Sequence, residues 1–269
     1  MHFNFGMNAE NILWVLRFSA ELVLLVVLLG KDRIKRFPWF TASIAVMALQ
    51  LMTVKLLYGR LPQITMAMII IVLADLTAVL AIGVLIEMAR RCFPGASTRA
   101  WSIGILAVAL PGVAVVALWG HWPAWRTLTT HSELALLGMG QLAAQKSGIF
   151  IAVATIVLGI LVVFVGARFG ADRRSHPQQI VIGLSTASLA EIGVQVVWQL
   201  IAKNAAPHTM AEYQRVLAMR ERLYDANSAV YVAVLLWWIV CLWFEEPGKG
   251  LTADNPGEDA PEPMKLPAQ

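Results

Sequence analysis

Residues 64–88, ITMAMIIIVLADLTAVLAIGVLIEM, form an apolar run of 25 residues with one ionisable group near its middle, Asp75. At about 1.5 Å rise per residue, a helix of this length crosses a bilayer core of roughly 30 Å. It has no polar face to offer water, so lipid must be its solvent. Asp75 then lies near mid-membrane, where a bare charge costs at least about 2.5–3.5 kcal/mol. A chain that keeps such a residue has to build something to face it.

With six further runs of the same kind, the chain has seven spans, at about 9–29, 38–58, 64–88, 101–120, 146–167, 179–201 and 224–244. Only 14% of the 269 residues are charged and 58% are hydrophobic, whereas soluble domains carry about 25% charge. The expected fold is an all-α membrane protein: a seven-transmembrane-helix bundle filling residues 1–244 as one domain. Loops 30–37, 89–100 and 168–176 hold ten Lys and Arg, against six in the loops of the opposite side. The positive-inside rule therefore puts the N-terminus outside and the C-terminus in the cytoplasm. The net charge of +4 is explained by these short loops, so no nucleic-acid partner is expected.

The first ten residues lack a basic n-region and no small-residue cleavage site follows the first run, so it reads as an uncleaved helix. Residues 245–269 are acidic and hold five prolines; they are expected to be a disordered cytoplasmic tail, too short for a kinase or DNA-binding domain. Two longer outer loops carry capping-box patterns, Thr130 with Glu133 and Thr209 with Glu212. Each predicts a short helix at the outer interface or an extension of the next span. Gly138, Gly140 and Ala143 match a GxGxxA pattern, but no strand precedes it and it is not a nucleotide site. Trp39, Trp101, Trp119, Trp122, Trp125 and Trp243 sit at span ends, as interfacial aromatics do. Cys92 and Cys241 fall near the cytoplasmic side and exclude a disulfide framework. Gly104, Pro111, Gly112, Gly148, Gly159 and Gly166 point to close packing or a kink in the fourth and fifth spans.

Four ionisable residues lie near mid-span: Arg17 and Glu21, then Asp75, then Glu191. Arg17 and Glu21 are four apart and share a helix face. The sixth span carries Ser185, Ser188, Glu191, Gln195 and Gln199 within an arc of about 120°. Gln50 and Lys55 add to the second span, Asn227 and Tyr231 to the seventh. Such groups must face protein or water. The ligand- or ion-binding candidates are Arg17, Glu21, Gln50, Asp75, Glu191, Gln195, Asn227 and Tyr231. They are expected to line a polar cavity open to the outside and floored by Arg17, Glu21, Asp75 and Glu191. Structural readings stand beside this one: Arg17–Glu21 as a self-neutralising lock, Asp75 as a buried hydrogen-bond partner, and Lys55 as a snorkelling side chain.

All five histidines lie outside the spans, which leaves no haem or zinc set, and the seventh span has no lysine for retinal. No cofactor, no metal and no enzymatic activity are expected. Pro62-Gln63 and Pro177-Gln178 precede the third and sixth spans, a layout that resembles sugar-efflux and PQ-loop transporters. Those families, however, carry Pro-Gln within the first helix of each repeat. KDRIKRFPWFTASI after the first span and IEMARRCFPGAST after the third resemble uncharacterised seven-helix integral membrane proteins of bacteria, acidobacteria in particular. That resemblance implies a bacterial inner (plasma) membrane and carries over no functional residue. The expected role is a sensor or receptor-like module binding a small polar ligand or cation, with a cytoplasmic or membrane protein as partner. The alternatives are a proton- or cation-coupled carrier and an accessory subunit of a membrane complex.

Overall fold

Apolar runs of this length satisfy their own backbone only as helices, because hydrocarbon offers no other hydrogen-bond partner. The computed structural model describes residues 9–57, 59–119, 133–166, 175–204 and 209–244. They form α1 (Ala9–Gly30), α2 (Pro38–Leu57), α3 (Gln63–Cys92), α4 (Thr98–Leu118), α5 (Glu133–Val165), α6 (His176–Asn204) and α7 (Met210–Trp243). All seven are long and apolar enough to cross a membrane. Large apolar side chains such as Val26, Val72, Leu110 and Phe164 stay exposed on their outer faces, as a lipid solvent requires.

Two helices outrun their apolar runs. α5 has 33 residues and α7 has 34, so each is about 50 Å long and exceeds the bilayer core by some 20 Å. Hydropathy marks the lipid-embedded part of a helix, whereas capping sets where it ends. α7 starts on the capping box read from the sequence: the Thr209 hydroxyl accepts the Glu212 N–H at 3.2 Å and the Glu212 carboxylate accepts the Thr209 N–H at 3.3 Å. The expected outer helix is thus an extension of the seventh span. Thr130, Trp122, Trp125 and the tail 245–269 lie outside the described residues.

α1, α2, α3, α5, α6 and α7 follow one another around a closed ring in which α7 returns to α1, and α3 touches α6 across it. α4 lies outside this ring, packed on α5. Its last turn is tied down from α5, where the buried Lys146 donates to the Val116 and Trp119 carbonyls. These are end-of-helix carbonyls with no partner in their own helix, at the pole that attracts a cation. Of the glycines expected to pack closely, Gly112 meets Phe150 and Gly159 meets Ser185, while Gly104 and Gly148 have open space.

The core is one-sided in four of the six ring helices, while α3 and α5 stay buried further along, at Met66 and at Ile149, Ala152 and Ala154. Leu24 and Leu28, Phe40 and Ile44, Val84 and Met88, Leu158 and Val162, Ile180 and Val181, and Leu235 and Trp238 form one buried cluster contributed by all six ring helices. Every one of them lies in the half of its helix nearest the Arg- and Lys-rich loops. In the opposite half, no described residue of α1 before Ala20, α2 after Ala48, α6 after Gly183 or α7 before Val232 is fully buried. The basic-loop end is further fastened by the Arg33 guanidinium donating to the Phe244 carbonyl at 3.1 Å. There, too, Glu87 accepts the Phe40 N–H at 3.2 Å, so a carboxylate sits on the first turn of α2, where free N–H groups favour an anion.

Candidate functional site

Residues of the same helix face share surroundings, so the face that enters the core at one end lines the interior at the other. On α6 that face is set by Ile180 and continues through Glu191, Gln195 and Trp198, all within about 60° of it. Glu191 is nevertheless exposed, and Gln195 and Trp198 are half-buried. An exposed carboxylate on this face shows that the helices no longer pack closely over it at this level, and this loosely packed end forms an outer vestibule of the ring. The same logic carries the α7 face of Leu235 through Tyr231, Asn227, Tyr224 and Arg220, and the α1 face of Leu24 through Arg17.

The floor of the vestibule is a small polar assembly resting on the core. Arg17 Nε donates to Glu21 Oε1 at 3.1 Å. Glu21 is fully buried, and its second oxygen has no hydrogen-bond partner among the described residues. The Arg17 guanidinium lies 4.6 Å from the centre of the Tyr231 ring, a cation–π contact worth about 0.5–2 kcal/mol. The Tyr231 hydroxyl in turn donates to Met47 Sδ at 3.5 Å. Arg17 itself keeps partial exposure towards the opening.

Higher up, the Lys55 ammonium donates to Asn11 Oδ1 at 3.1 Å and lies 5.4 Å from the Trp14 ring. This places the exposed ammonium between α1 and α2, where a snorkelling side chain from the outer end of α2 also reaches. The Arg220 guanidinium lies 5.3 Å from the Trp198 ring and 5.5 Å from the Tyr224 ring. The Gln195 amide donates to Glu191 Oε1 at 3.4 Å. The vestibule therefore presents aromatic faces, three cations and one open carboxylate. Groups of these kinds can make hydrogen bonds and charge contacts.

The four-residue floor expected from the sequence is not assembled as one group. Arg17 and Glu21 meet as expected, and Tyr231 joins them. Glu191 has Gln195 as its one partner among the described residues. Asp75 is nine residues from the core residue Val84, about 180° around α3, and shares its side with the exposed Val79 and Ile82. Half a turn of error in judging phase, about two residues, separates an interior acid from an outer one. Gln50 faces α3: its carboxamide oxygen lies 3.3 Å from the Thr77 hydroxyl, which also reaches the Leu73 carbonyl at 2.8 Å. Asn227 is half-buried one turn above Tyr231. Ser185 turns to α5 and donates to the Thr155 carbonyl at 3.0 Å.

Trp198, Arg220 and Lys146 escaped the sequence reading. Trp198 is seven residues from Glu191 and so two turns along the same face, a usable signal. Arg220 and Lys146 fell at span margins, where a cation reads as a boundary. Of the five histidines only His176 lies among the described residues, buried in the first turn of α6. Compared with protein-family models, curated proteins and solved structures, the chain has no significant match.

Proposed function

We propose that this chain is a sensor or receptor-like module of a bacterial inner membrane, with its N-terminus outside and its C-terminus in the cytoplasm. It binds a small polar ligand in the vestibule, which the charge bias of the loops turns to the outer face. One observation carries this reading: six helices close on an apolar core at the basic-loop end, whereas towards the other end α1, α2, α6 and α7 bury no described residue and carry polar and aromatic side chains on their inward faces. A pocket open to one side and sealed on the other suits detection better than passage. Arg17, Glu191, Gln195, Asn227 and Tyr231 contact the ligand, Glu21 holds Arg17 in place, and a partner reads the state of the loops at the packed end. No catalytic step is assigned to any of these groups.

Thiol accessibility tests this reading. In a chain with Cys92 and Cys241 replaced by serine, cysteines at Asn227 and Gln195 are expected to react with a membrane-impermeant maleimide added outside intact cells. A cysteine at Leu235 is expected to stay unlabelled. Labelling of the first two only after permeabilisation, or equal labelling of all three, refutes the outward vestibule. A proton- or cation-coupled carrier is the second reading, favoured by the unpartnered buried oxygen of Glu21 at the junction of vestibule and core. Substrate-driven proton or cation flux in proteoliposomes, abolished by Glu21→Gln, would put it first.

A further inference from the structure

A cavity lies away from the vestibule, on the outer side of the bundle along the seam of α2 and α3 near the basic-loop end. Its volume is about 600 Å³. One wall is apolar, with Trp39 from α2 and Val79, Ile82 and Ile86 from α3; the end towards the loops holds Glu87, Arg90 and Arg91. All four wall residues are exposed to the surroundings of the bundle, and the Trp39 ring lies directly over Gly83, where a Cβ would strike it.

We infer that this cleft is a binding site for one anionic phospholipid, with an acyl chain along Trp39, Val79, Ile82 and Ile86 and the phosphate at Arg90 and Arg91. Length and charge both point there. From Val79 to Arg90 the helix rises about 16 Å, the hydrocarbon depth of one leaflet of a roughly 30 Å core. The cleft thus runs from mid-bilayer to headgroup level and grades from apolar to basic in that order, as an amphiphile does. A free polar solute would leave the apolar wall unused. A zwitterionic lipid would leave the charge unmatched.

The cations are available. Arg90 is exposed and has no partner among the described residues. Arg91 lies 3.6 Å from Glu87 and 5.0 Å from the Phe37 ring centre, so its guanidinium is oriented at the mouth. Glu87 is already engaged by the Phe40 N–H and by Arg91. Two guanidiniums against one committed carboxylate leave a positive mouth, and basic pockets between spans are where anionic headgroups dock.

The full-length protein in dodecylmaltoside micelles tests this. Dioleoyl-phosphatidylglycerol is titrated against dioleoyl-phosphatidylcholine and against inorganic phosphate, with the thermal midpoint as the readout. Phosphatidylglycerol is expected to bind at least five-fold more tightly than phosphatidylcholine, and Arg90→Gln to weaken it about five-fold. Arg90 touches nothing that holds the fold, so this variant stays comparable with wild type. Phosphatidylglycerol brominated on its acyl chains is expected to quench tryptophan fluorescence in a saturable way that Trp39→Phe diminishes. Equal binding of the two lipids, an indifferent Arg90→Gln, or quenching untouched by Trp39→Phe each overturns the inference. Stabilisation by phosphate alone overturns it too, since the site would then take a free anion.

Discussion

Removing either member of the Arg17–Glu21 pair leaves the other uncompensated, but the two losses are not equal. Glu21 is fully buried, one of its oxygens rests on Arg17 and the other on nothing among the described residues. Arg17→Met therefore strands a buried acid, and breaking a buried pair from one side costs about 3–5 kcal/mol. Arg17 keeps 28% of its side chain exposed and has the Tyr231 ring 4.6 Å away. After Glu21→Leu it can turn into the vestibule with its cation–π contact intact, so the expected loss is only about 1 kcal/mol. The double variant Arg17→Met/Glu21→Leu removes both charges from an apolar boundary and is expected within about 1 kcal/mol of wild type. A coupling of about 3–6 kcal/mol follows from a double-mutant cycle, measured by reversible unfolding in mixed dodecyl sulfate micelles. Additive losses, or a Glu21 variant worse than the Arg17 variant, would refute the argument. A double variant that folds and still responds to a ligand would show the pair to be a lock and no part of the binding surface.

Two further outcomes follow from the packing. Asp75→Asn is expected to leave stability unchanged or to raise it by about 1 kcal/mol in the same unfolding assay, since it neutralises a charge on the outer side of α3; a loss of that size would mean that Asp75 has a partner. Gly183→Ala drives a Cβ into the Trp238 indole, so the ring or the two helices must give way; overpacking costs about 1–3 kcal/mol, only partly offset by helix propensity. Trp238→Phe removes the obstructing ring edge and an indole N–H that has no partner among the described residues, and should recover most of the loss when combined with Gly183→Ala. If the double variant is no more stable than Gly183→Ala alone, the close approach is not what limits packing there.

The spans were readable because each helix needs about 20 apolar residues to cross, and that signal is local. The capping box of Thr209 and Glu212 was readable for the same reason, being four residues wide. The order of helices around the ring was not. A helix apolar on every side carries no mark of its neighbours, so nothing in residues 98–118 reveals that α4 packs only on α5 in place of entering the ring. The site falls between these cases. Arg17–Glu21 follows from spacing within one helix, and Glu191 with Gln195 from a stripe on another. Asp75 was grouped with them on depth alone. Its phase relative to Leu80, Val84 and Met88 was written in the sequence, but which side of α3 would be the inner one depended on contacts made by distant helices. Glu87 and Lys146 share that limit: each stabilises the end of another helix, a role visible only once the two helices meet.

The closure of the ring by α1 against α7 has a consequence for how the chain comes to exist. The first helix reaches the bilayer long before its last neighbour is made. About 200 residues separate Arg17 from Tyr231, and at synthesis rates of 5–20 residues per second the wait is roughly 10–40 s. Throughout that interval the inward face of α1 has no seventh helix to cover it. An arginine whose counter-ion sat on α7 would stand alone in hydrocarbon for the whole period. An arginine whose counter-ion is one turn further along its own helix enters the membrane already neutralised, and α7 arrives to a surface that has been waiting in a tolerable state.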